Sequence, residues 1–462
     1  MSERALGAPG EKRAFCRSAR RITLPIIVQN FMDCAVSAAD VVMLSFVSQE
    51  ALSASSLAGQ VNFIFSMFLF GTSGGAAIMT AQYWGKKDTR TIEKVQGIAL
   101  RFTVLIACLF ALAAFFLPRQ VMGIYTNDSA LIGEGIKYLR AVAASYVLNG
   151  FCSVYLCTMR SVERVGFSAV VHSGAVVMNV LLNACFIFGV GPFPRLGITG
   201  VALATSVTRA LEAVVCVIDS RRNGILTLRL GDITGHYPVL LRDFIRYALP
   251  ATGNDMIWGM AFTVYSVILG HMSADVVAAN SLNSTVRSLA TVVCYAVSGA
   301  SGVILGKVMG EGRLREAKVY AARLLRQSVY TSAAGGLLLL ALRPLLMGLT
   351  DISYFKLSDT AVGYFGTMLY ISSYYVLGQS INSILISGIF RAGGDVKFGL
   401  VCDTFAMWAY AVPVGLIAAF VLKLPPMWVY FVLCLDEFVK IPVVIAHYFK
   451  YKWLRNITRD IA

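Results

Sequence analysis

The sequence contains few charged residues. Only 14% of its 462 residues are Asp, Glu, Lys or Arg, whereas 57% are hydrophobic and the mean hydropathy is +0.70. Soluble proteins carry roughly a quarter charged residues, and 65 charged side chains could not solubilise so much apolar surface. The composition therefore excludes a cytosolic enzyme, a disulfide-rich secreted scaffold and a disordered protein. It predicts a polytopic membrane protein.

The sequence also lacks a metal-ligand motif. Its four His residues are widely scattered, and no pair among its ten Cys residues has the spacing of a metal site. Most of the Cys lie in apolar stretches, where cysteine usually packs as a small hydrophobic side chain. No nucleophile stands beside a base in the sequence. We therefore expect no metal site, no organic cofactor and no enzymatic activity.

Long apolar stretches recur along the whole chain. A membrane-spanning helix needs about 20 mostly apolar residues, and twelve stretches satisfy this requirement. They lie near residues 22–47, 52–83, 97–118, 136–159, 166–190, 197–218, 244–270, 276–306, 319–342, 361–389, 398–422 and 427–449. Because the connections between them are short, they leave no room for a soluble catalytic domain.

The basic residues are concentrated in alternate loops. Of the 40 Lys and Arg, 29 lie in the two terminal segments and in every second loop, and only five lie in the other loops. This bias predicts that both termini face the cytoplasm. It accounts for most of the net charge of +15, so we expect contact with membrane lipids and no nucleic-acid partner. The first apolar stretch is too long for a signal-peptide core and is expected to be a permanent span.

The two halves of the sequence are related to each other. After a shift of 225 residues, Leu24-Pro25 aligns with Leu249-Pro250, and thirteen identities fall within residues 24–90. Six spans per half is an even number, so the halves form parallel repeats, an arrangement found among transporters. We expect an N-terminal segment, a first six-helix lobe, a cytoplasmic linker, a second six-helix lobe and a cytoplasmic tail. These cover residues 1–21, 22–220, 221–243, 244–449 and 450–462.

Polar side chains inside the predicted spans are candidates for function, because charge is costly within a membrane. Asp33 and Asp40 lie seven residues apart, on nearly the same face of the first span. Asn179 and Asn183 are one turn apart in the fifth span, and Thr205 lies in the sixth. A carboxylate with amide and hydroxyl oxygens can exchange a proton or coordinate Na⁺. The alternative is hydrogen bonding between helices for packing alone.

Other polar and aromatic side chains are candidates for a substrate cavity, since aromatic faces attract organic cations. These candidates are Asp33, Gln60, Asn62, Asp255, Trp258, Tyr370 and Gln379. Some intramembrane charges instead have the spacing of ion pairs on one helix. Those pairs are Arg209 with Glu212 on the sixth span, and Asp436 and Glu437 with Lys440 on the twelfth. Asp403 in the eleventh span could be either structural or part of the cavity.

The order of landmarks along the chain resembles that of the multidrug and toxic compound extrusion (MATE) family. The landmarks are Leu24-Pro25 with Gln29-Asn30, Asp40, the segment AQYWGKKD at 81–88, Ala248-Leu249-Pro250, and the segment RAGGD at 391–395. The resemblance covers nearly the whole chain. It implies a V-shaped pair of six-helix lobes in the plasma membrane. It also implies alternating-access export of amphipathic, often cationic compounds in exchange for Na⁺ or H⁺. We expect a monomer.

The resemblance also implies roles for individual residues. One prokaryotic branch has its coupling site in the N-terminal lobe. There Asp40 matches the acidic residue of span one, Asn179 the first polar position of span five, and Thr205 the Thr of span six. Asn183 stands where many members carry a second Asp, so this chain has one negative charge fewer. Binding and release of Na⁺ or a proton by these side chains would be the coupling step.

Two prolines and one missing acid refine this expectation. Pro25 matches the family proline whose kink is linked to bending of span one, and Pro250 is its counterpart in the repeat. Another branch of the family uses acidic residues in spans seven and ten. Asp255 lies in span seven here, but residues 361–389 contain no acid. The N-terminal lobe is therefore favoured as the coupling site.

Two other transporter classes are alternatives. A lipid-linked precursor flippase has similar lobes around a strongly cationic cavity, and Arg140, Arg209 and Arg287 keep this alternative open. A major-facilitator transporter also has twelve spans in two parallel halves. Its loop between spans two and three usually reads G-x-x-x-D-R/K-x-G-R, which the segment GKKDTR at 85–90 does not match.

Overall fold

The computed structural model describes residues 9–45, 49–189, 193–350 and 358–460, which are mostly helical and contain no strand. Twelve helical segments coincide with the twelve predicted spans. They are α1 Pro9–Ser45, α2 Gln49–Gly85, α3 Thr89–Phe116, α4 Ser129–Ser161, α5 Val165–Phe188, α6 Gly197–Arg222, α7 Pro238–Gly270, α8 Ala274–Gly310, α9 Leu314–Thr350, α10 Asp359–Asn382 continued by a π-helical Ser383–Phe390, α11 Val396–Val421, and α12, which consists of Pro426–Leu433 and Asp436–Phe449. Short helices at Pro118–Gly123 and Leu230–Thr234 lie in the connections.

Eight helices within the described ranges are long and apolar enough to cross a membrane. The last segment, α12, is not among them, because it is divided into helices of 8 and 14 residues, each shorter than a full span. The prediction of an all-α, multi-pass membrane protein is confirmed.

Local sequence explains where several helices begin. Asp88 precedes α3, and its carboxylate accepts a hydrogen bond from the Thr91 amide at 3.0 Å. Ser273 precedes α8, and its hydroxyl accepts one from the Val276 amide at 3.2 Å. Both side chains satisfy amide groups that the first turn of a helix leaves without a partner. The tight connections that these caps allow keep consecutive spans next to each other.

The packing repeats along with the sequence. In the first half, α2, α3 and α4 pack against one another, and α4 also contacts α6. In the second half, α8, α9 and α10 pack in the same way, and α10 contacts α12. The predicted two six-helix repeats are therefore present in the fold.

The helices form two compact units. We call Val28–Thr252 with the chain after Ile457 the N-terminal unit, and Gly253–Ile457 with the chain up to Ile27 the C-terminal unit. The chain passes from one unit to the other two residues after Pro25 in α1 and two residues after Pro250 in α7. The 225-residue shift relates these positions. The change of unit thus lies within a helix, whereas the sequence places the lobe boundary in the linker 221–243.

Charged loop residues fasten the connections of the N-terminal unit. Arg90 at the start of α3 forms an ion pair with Asp232 at 2.6 Å. The Lys86 ammonium lies 2.6 Å from the Asp460 carboxylate and holds the pKa of that carboxyl below its usual value. These contacts attach the linker and the tail to one end of the helices.

Candidate functional site

Polar side chains of α5 and α6 meet inside the N-terminal unit. The Asn179 amide donates to the Thr205 hydroxyl at 3.3 Å, and the Asn183 amide donates to the Asn179 carbonyl oxygen at 3.2 Å. The Thr205 hydroxyl donates in turn to the Val201 backbone carbonyl at 3.1 Å. We call Asn179, Asn183 and Thr205 the amide cluster. The structure thus brings together three of the four side chains predicted to bind the coupling ion.

The fourth predicted residue is Asp40, whose side chain lies outside what the structure describes. Its backbone belongs to α1, seven residues after Asp33. On α5, Asn179 follows His172 by the same interval. The placement of the Asp40 carboxylate beside the amide cluster stays a prediction.

A second polar group, which the sequence analysis did not predict, is centred on His172. Its Nε2 lies 2.9 Å from the Asp33 carboxylate on α1, and its Nδ1 lies 3.3 Å from the Glu212 carboxylate on α6. The other Glu212 oxygen accepts a hydrogen bond from Arg209 at 2.6 Å. We call Asp33, His172, Glu212 and Arg209 the histidine bridge.

The geometry of the histidine bridge requires an additional proton. A neutral imidazole donates through one nitrogen only, whereas an ionised carboxylate can only accept. Because both ring nitrogens of His172 face carboxylate oxygens, the two contacts are satisfied together only if His172 or one of the acids carries an extra proton. The arrangement can therefore store a proton and exchange it between three groups.

The two acids of the histidine bridge differ in how far they are exposed. The Asp33 side chain is 44% exposed, whereas the Glu212 side chain is 0% exposed. A buried carboxylate needs a cationic partner, and Arg209 supplies it. The Arg209–Glu212 pairing expected from their spacing is present, but it also anchors His172. The bridge thus joins a partly exposed carboxylate to a fully buried one.

His172 could have been found in the sequence. It lies seven residues before Asn179 and therefore on nearly the same face of an otherwise apolar helix. The four His residues are widely scattered, so no metal-ligand spacing marks His172. Its acidic partners lie on other helices, and only the fold shows that they converge.

The predicted cavity residues of the N-terminal unit lie at open positions. Gln60 and Asn62 are exposed on α2, and Asp33 belongs to the histidine bridge. No described contact joins Gln60 or Asn62 to this bridge. Their role in substrate binding stays a prediction.

The predicted cavity residues of the C-terminal unit are dispersed. Asp255 forms an ion pair with Arg391 at 3.0 Å, and the Gln379 amide donates a hydrogen bond to the Tyr295 hydroxyl at 2.8 Å. The ring centroids of Trp258 and Phe262 are 4.4 Å apart, and the Arg343 guanidinium lies 4.2 Å from the centre of the Tyr370 ring. The charge of Asp255 is thus neutralised within its own unit. The C-terminal unit has a cavity between α7, α8, α10 and the first part of α12, and none of these four predicted residues lines it.

Two further features concern ions and helix geometry. Within the described ranges, no three His, Cys, Asp or Glu side chains are arranged to hold a metal ion.

Pro25 lies inside α1 and Pro250 inside α7. A proline within a helix removes a backbone hydrogen bond and favours a kink, so each of these helices has a weak point near its change of unit.

Comparison with known proteins identifies the family. The MatE family model matches residues 25–185 and 250–417, one match in each repeat. The uncharacterized transporter YisQ of Bacillus subtilis is 21% identical over 422 residues, which is 91% of both chains. The multidrug resistance protein NorM of Burkholderia vietnamiensis is 23% identical over 436 residues, 90% of both chains. An FAD transporter of Shewanella oneidensis is 26% identical over 304 residues, 64% of this chain and 66% of the relative.

Solved structures share the fold. A MATE family transporter of the MOP superfamily in an outward-facing conformation superposes with a TM-score of 0.85 at 15% identity, covering 94% of this chain and 95% of that one. A MOP superfamily transporter from Pyrococcus furiosus gives the same TM-score, identity and coverage. With both repeats matched by the family model and the helical architecture shared, the chain belongs to the MATE family and is a multi-pass membrane transporter.

Proposed function

We propose that the chain is a proton-coupled antiporter that exports amphipathic compounds, including cationic drugs, across the plasma membrane. Both termini face the cytoplasm in this proposal. The observation that carries it is the position of His172 between the carboxylates of Asp33 and Glu212. Relatives along nearly the whole chain, such as NorM of Burkholderia vietnamiensis, are multidrug resistance proteins, which supports the substrate class.

The amide cluster favours a proton over Na⁺ as the coupling ion. A sodium ion is held by several oxygen ligands together with negative charge. Here the Asn179 carbonyl oxygen already accepts a hydrogen bond from Asn183, and the Thr205 hydroxyl donates to Val201. Asn183 is also neutral, where many family members carry an acid. A proton needs only one acceptor, and the neighbouring histidine bridge supplies three groups that can take it.

In the proposed cycle, a proton enters at Asp33, whose side chain is the open end of the bridge. His172 passes it between Asp33 and the closed Glu212. Asp40, on the same helix as Asp33, is the family's coupling carboxylate and titrates with them. The protonated and deprotonated bridges favour different conformations, and so do the empty and substrate-loaded transporter. Because such coupling is reciprocal, proton entry drives substrate exit.

The charges around Arg209 weigh against the flippase alternative. A flippase needs cations that are free to bind a pyrophosphate headgroup. The Arg209 guanidinium is instead 2.6 Å from Glu212, so its charge is neutralised within the histidine bridge. One of the three arginines that support this alternative is therefore already paired.

The test is transport in proteoliposomes with the full chain, a fluorescent organic cation as substrate, and pH and Na⁺ gradients imposed separately. We expect the pH gradient alone to drive transport. His172→Gln and Asp40→Asn should lower this transport at least tenfold, roughly the loss of one proton-transfer group. His271→Gln is the matched control, because His271 is exposed at the end of α7, where its described contacts are the Val267 backbone carbonyl and the Phe420 ring and include no acid.

Transport driven by Na⁺ alone and unaffected by His172→Gln would contradict proton coupling. Absence of transport under either gradient, with folded protein in the vesicles, would favour the flippase or a narrower substrate. Loss of transport in His271→Gln as well would mean that any His substitution disturbs the protein, and the assignment to His172 would fail.

A further inference from the structure

The start of α1 carries arginines along one exposed face. Arg13, Arg17 and Arg20 follow one another at intervals of four and three residues, and Arg21 lies beside Arg20. Residues with this spacing lie on one side of a helix. All four side chains are exposed, whereas Phe15 on the opposite side is buried. The start of α1 is therefore amphipathic, with a basic outer face.

The buried side of this segment packs against the start of α9. The ring centroids of Phe15 and Tyr320 are 4.6 Å apart. The Arg323 guanidinium lies 5.5 Å from the centre of the Phe15 ring. Both segments belong to the C-terminal unit. The start of α9 therefore lies beside the basic start of α1.

The start of α9 also has a basic outer face. Arg315, Ala322 and Arg326 are exposed at intervals of seven and four residues, which places them on one side of the helix. The neighbouring acid Glu316 forms an ion pair with Arg313 instead. We call the arginines of the two outer faces the basic surface, which consists of Arg13, Arg17, Arg20, Arg21, Arg315 and Arg326.

On both helices the outer face changes from basic to apolar along its length. On α1, Leu24 follows Arg20 by one turn and is 61% exposed. On α9, Tyr330 follows Arg326 by one turn and is 68% exposed, and Leu337 is exposed two turns further on. Exposed apolar side chains of a membrane span face the acyl chains of lipids, and tyrosine is enriched at the membrane–water interface. The basic surface therefore lies at the level of the lipid headgroups.

The protein itself leaves this surface positively charged. Among the described residues, no carboxylate forms an ion pair with Arg17, Arg20, Arg21 or Arg326. Clusters of four to eight basic residues next to a membrane span are typical of sites for anionic lipids. The six arginines of the basic surface fall within this range and come from two helices in contact.

We propose that the basic surface binds the headgroups of anionic phospholipids, whose acyl chains lie against the apolar continuation of α1 and α9. A guanidinium presents planar N–H donors that match the oxygens of a phosphate group. A soluble acidic partner fits less well, because both basic faces continue directly into lipid-facing apolar residues. The proposal is independent of the coupling ion and of the exported compound.

The test uses Cys16 as a reporter, because it is exposed between Arg13 and Arg17, whereas the other nine cysteines are partly or fully buried. The full chain carries a bimane fluorophore on Cys16 and is reconstituted in phosphatidylcholine vesicles. These contain a small fraction of spin-labelled lipid, either phosphatidylglycerol or phosphatidylcholine, and quenching reports which lipid lies beside Cys16. We expect a preference of roughly five- to tenfold for phosphatidylglycerol. Molar salt should reduce it severalfold.

Two double variants locate the site. Arg17→Gln combined with Arg20→Gln should lower the preference roughly threefold or more, because two charges of the basic surface are lost. Arg221→Gln combined with Arg222→Gln is the matched control, since both residues are exposed at the end of α6 in the N-terminal unit and the change in net charge is the same. It should keep the full preference. Cys16→Ser, treated with the same reagent, measures labelling of the other cysteines.

Equal quenching of the wild type by the two lipids would overturn the proposal, and so would a preference that resists molar salt or persists in the α1 double variant. An equal loss in the α6 double variant would also refute it, because the net charge of the protein would then explain the preference. Since no substrate or gradient is present, failure of proton-driven export leaves these results unchanged. Conversely, export with no lipid preference would refute the lipid site and retain the proposed function.

Discussion

Each unit contains a cluster of charged side chains among its helices, and the two clusters differ in whether every member is buried. In the C-terminal unit, Asp403 accepts hydrogen bonds from Asn254 at 2.6 Å and Lys440 at 3.0 Å. Glu437 accepts from Asn382 at 2.7 Å and pairs with Lys440 at 3.1 Å. All five side chains are buried. We call them the buried cluster, and it connects α7, α10, α11 and α12.

The histidine bridge of the N-terminal unit has a similar number of charges but an open end. Glu212 is fully buried, whereas 44% of the Asp33 side chain is exposed. A buried and fully paired group cannot exchange protons without leaving a partner unsatisfied. A group with one exposed acid can. The comparison indicates that the buried cluster holds helices together and that the histidine bridge performs chemistry.

The largest expected effect comes from removing the cation of the buried cluster. Lys440→Met leaves the Asp403 and Glu437 carboxylates without their shared partner, and breaking a buried ion pair costs about 3–5 kcal/mol. We expect loss of folded protein or a large drop in the thermal unfolding temperature in detergent. Lys450→Met, in an exposed position after α12, is the control and should leave this temperature unchanged. A stable Lys440→Met variant would show that the cluster is not structural.

The sequence predicted the architecture well, because membrane helices follow from apolar length and the repeat follows from matched positions. It predicted the pairing of Arg209 with Glu212 and of Lys440 with Glu437, since these lie three residues apart on one helix. It did not predict contacts between helices distant in the chain. Asp33 and His172 are 139 residues apart, and no local periodicity links them.

A smaller effect is expected where two helices approach closely. A Cβ atom at Gly71 in α2 would overlap the Thr252 Cα in α7, and backbone atoms there cannot move aside easily. We expect Gly71→Ala to lower the free energy of unfolding by about 1–3 kcal/mol, as in other overpacked cores. Gly299→Ala in α8 is the control, because no atom lies within 4 Å of its added Cβ. It should be neutral or slightly stabilising, which thermal unfolding of both variants would check.

The prediction of site residues was also limited because contacts between helices distant in the chain leave no local pattern in the sequence. Asn179, Asn183 and Thr205 could be selected because each stands out from its apolar helix, and the fold brings them into contact. The cavity residues could not be selected in this way. Asp255 and its partner Arg391 are 136 residues apart, and an acid in a span looks the same in the sequence whether it is paired or lines a cavity. Only packing decides between these roles.

The smallest effect on stability, and the sharpest test of the comparison, comes from one substitution made in both clusters. Asp33→Asn keeps the size of a partly exposed side chain, so we expect the free energy of unfolding to change by less than about 1 kcal/mol. Asp403→Asn removes a buried charge from Lys440 and should destabilise by several times more. Proton-driven transport should respond in the opposite order when corrected for folded protein, with Asp33→Asn losing it and the surviving Asp403→Asn protein retaining it. If the two variants lose stability and transport in the same proportion, the clusters do not differ in kind, and exposure of one acid is no guide to which cluster moves protons.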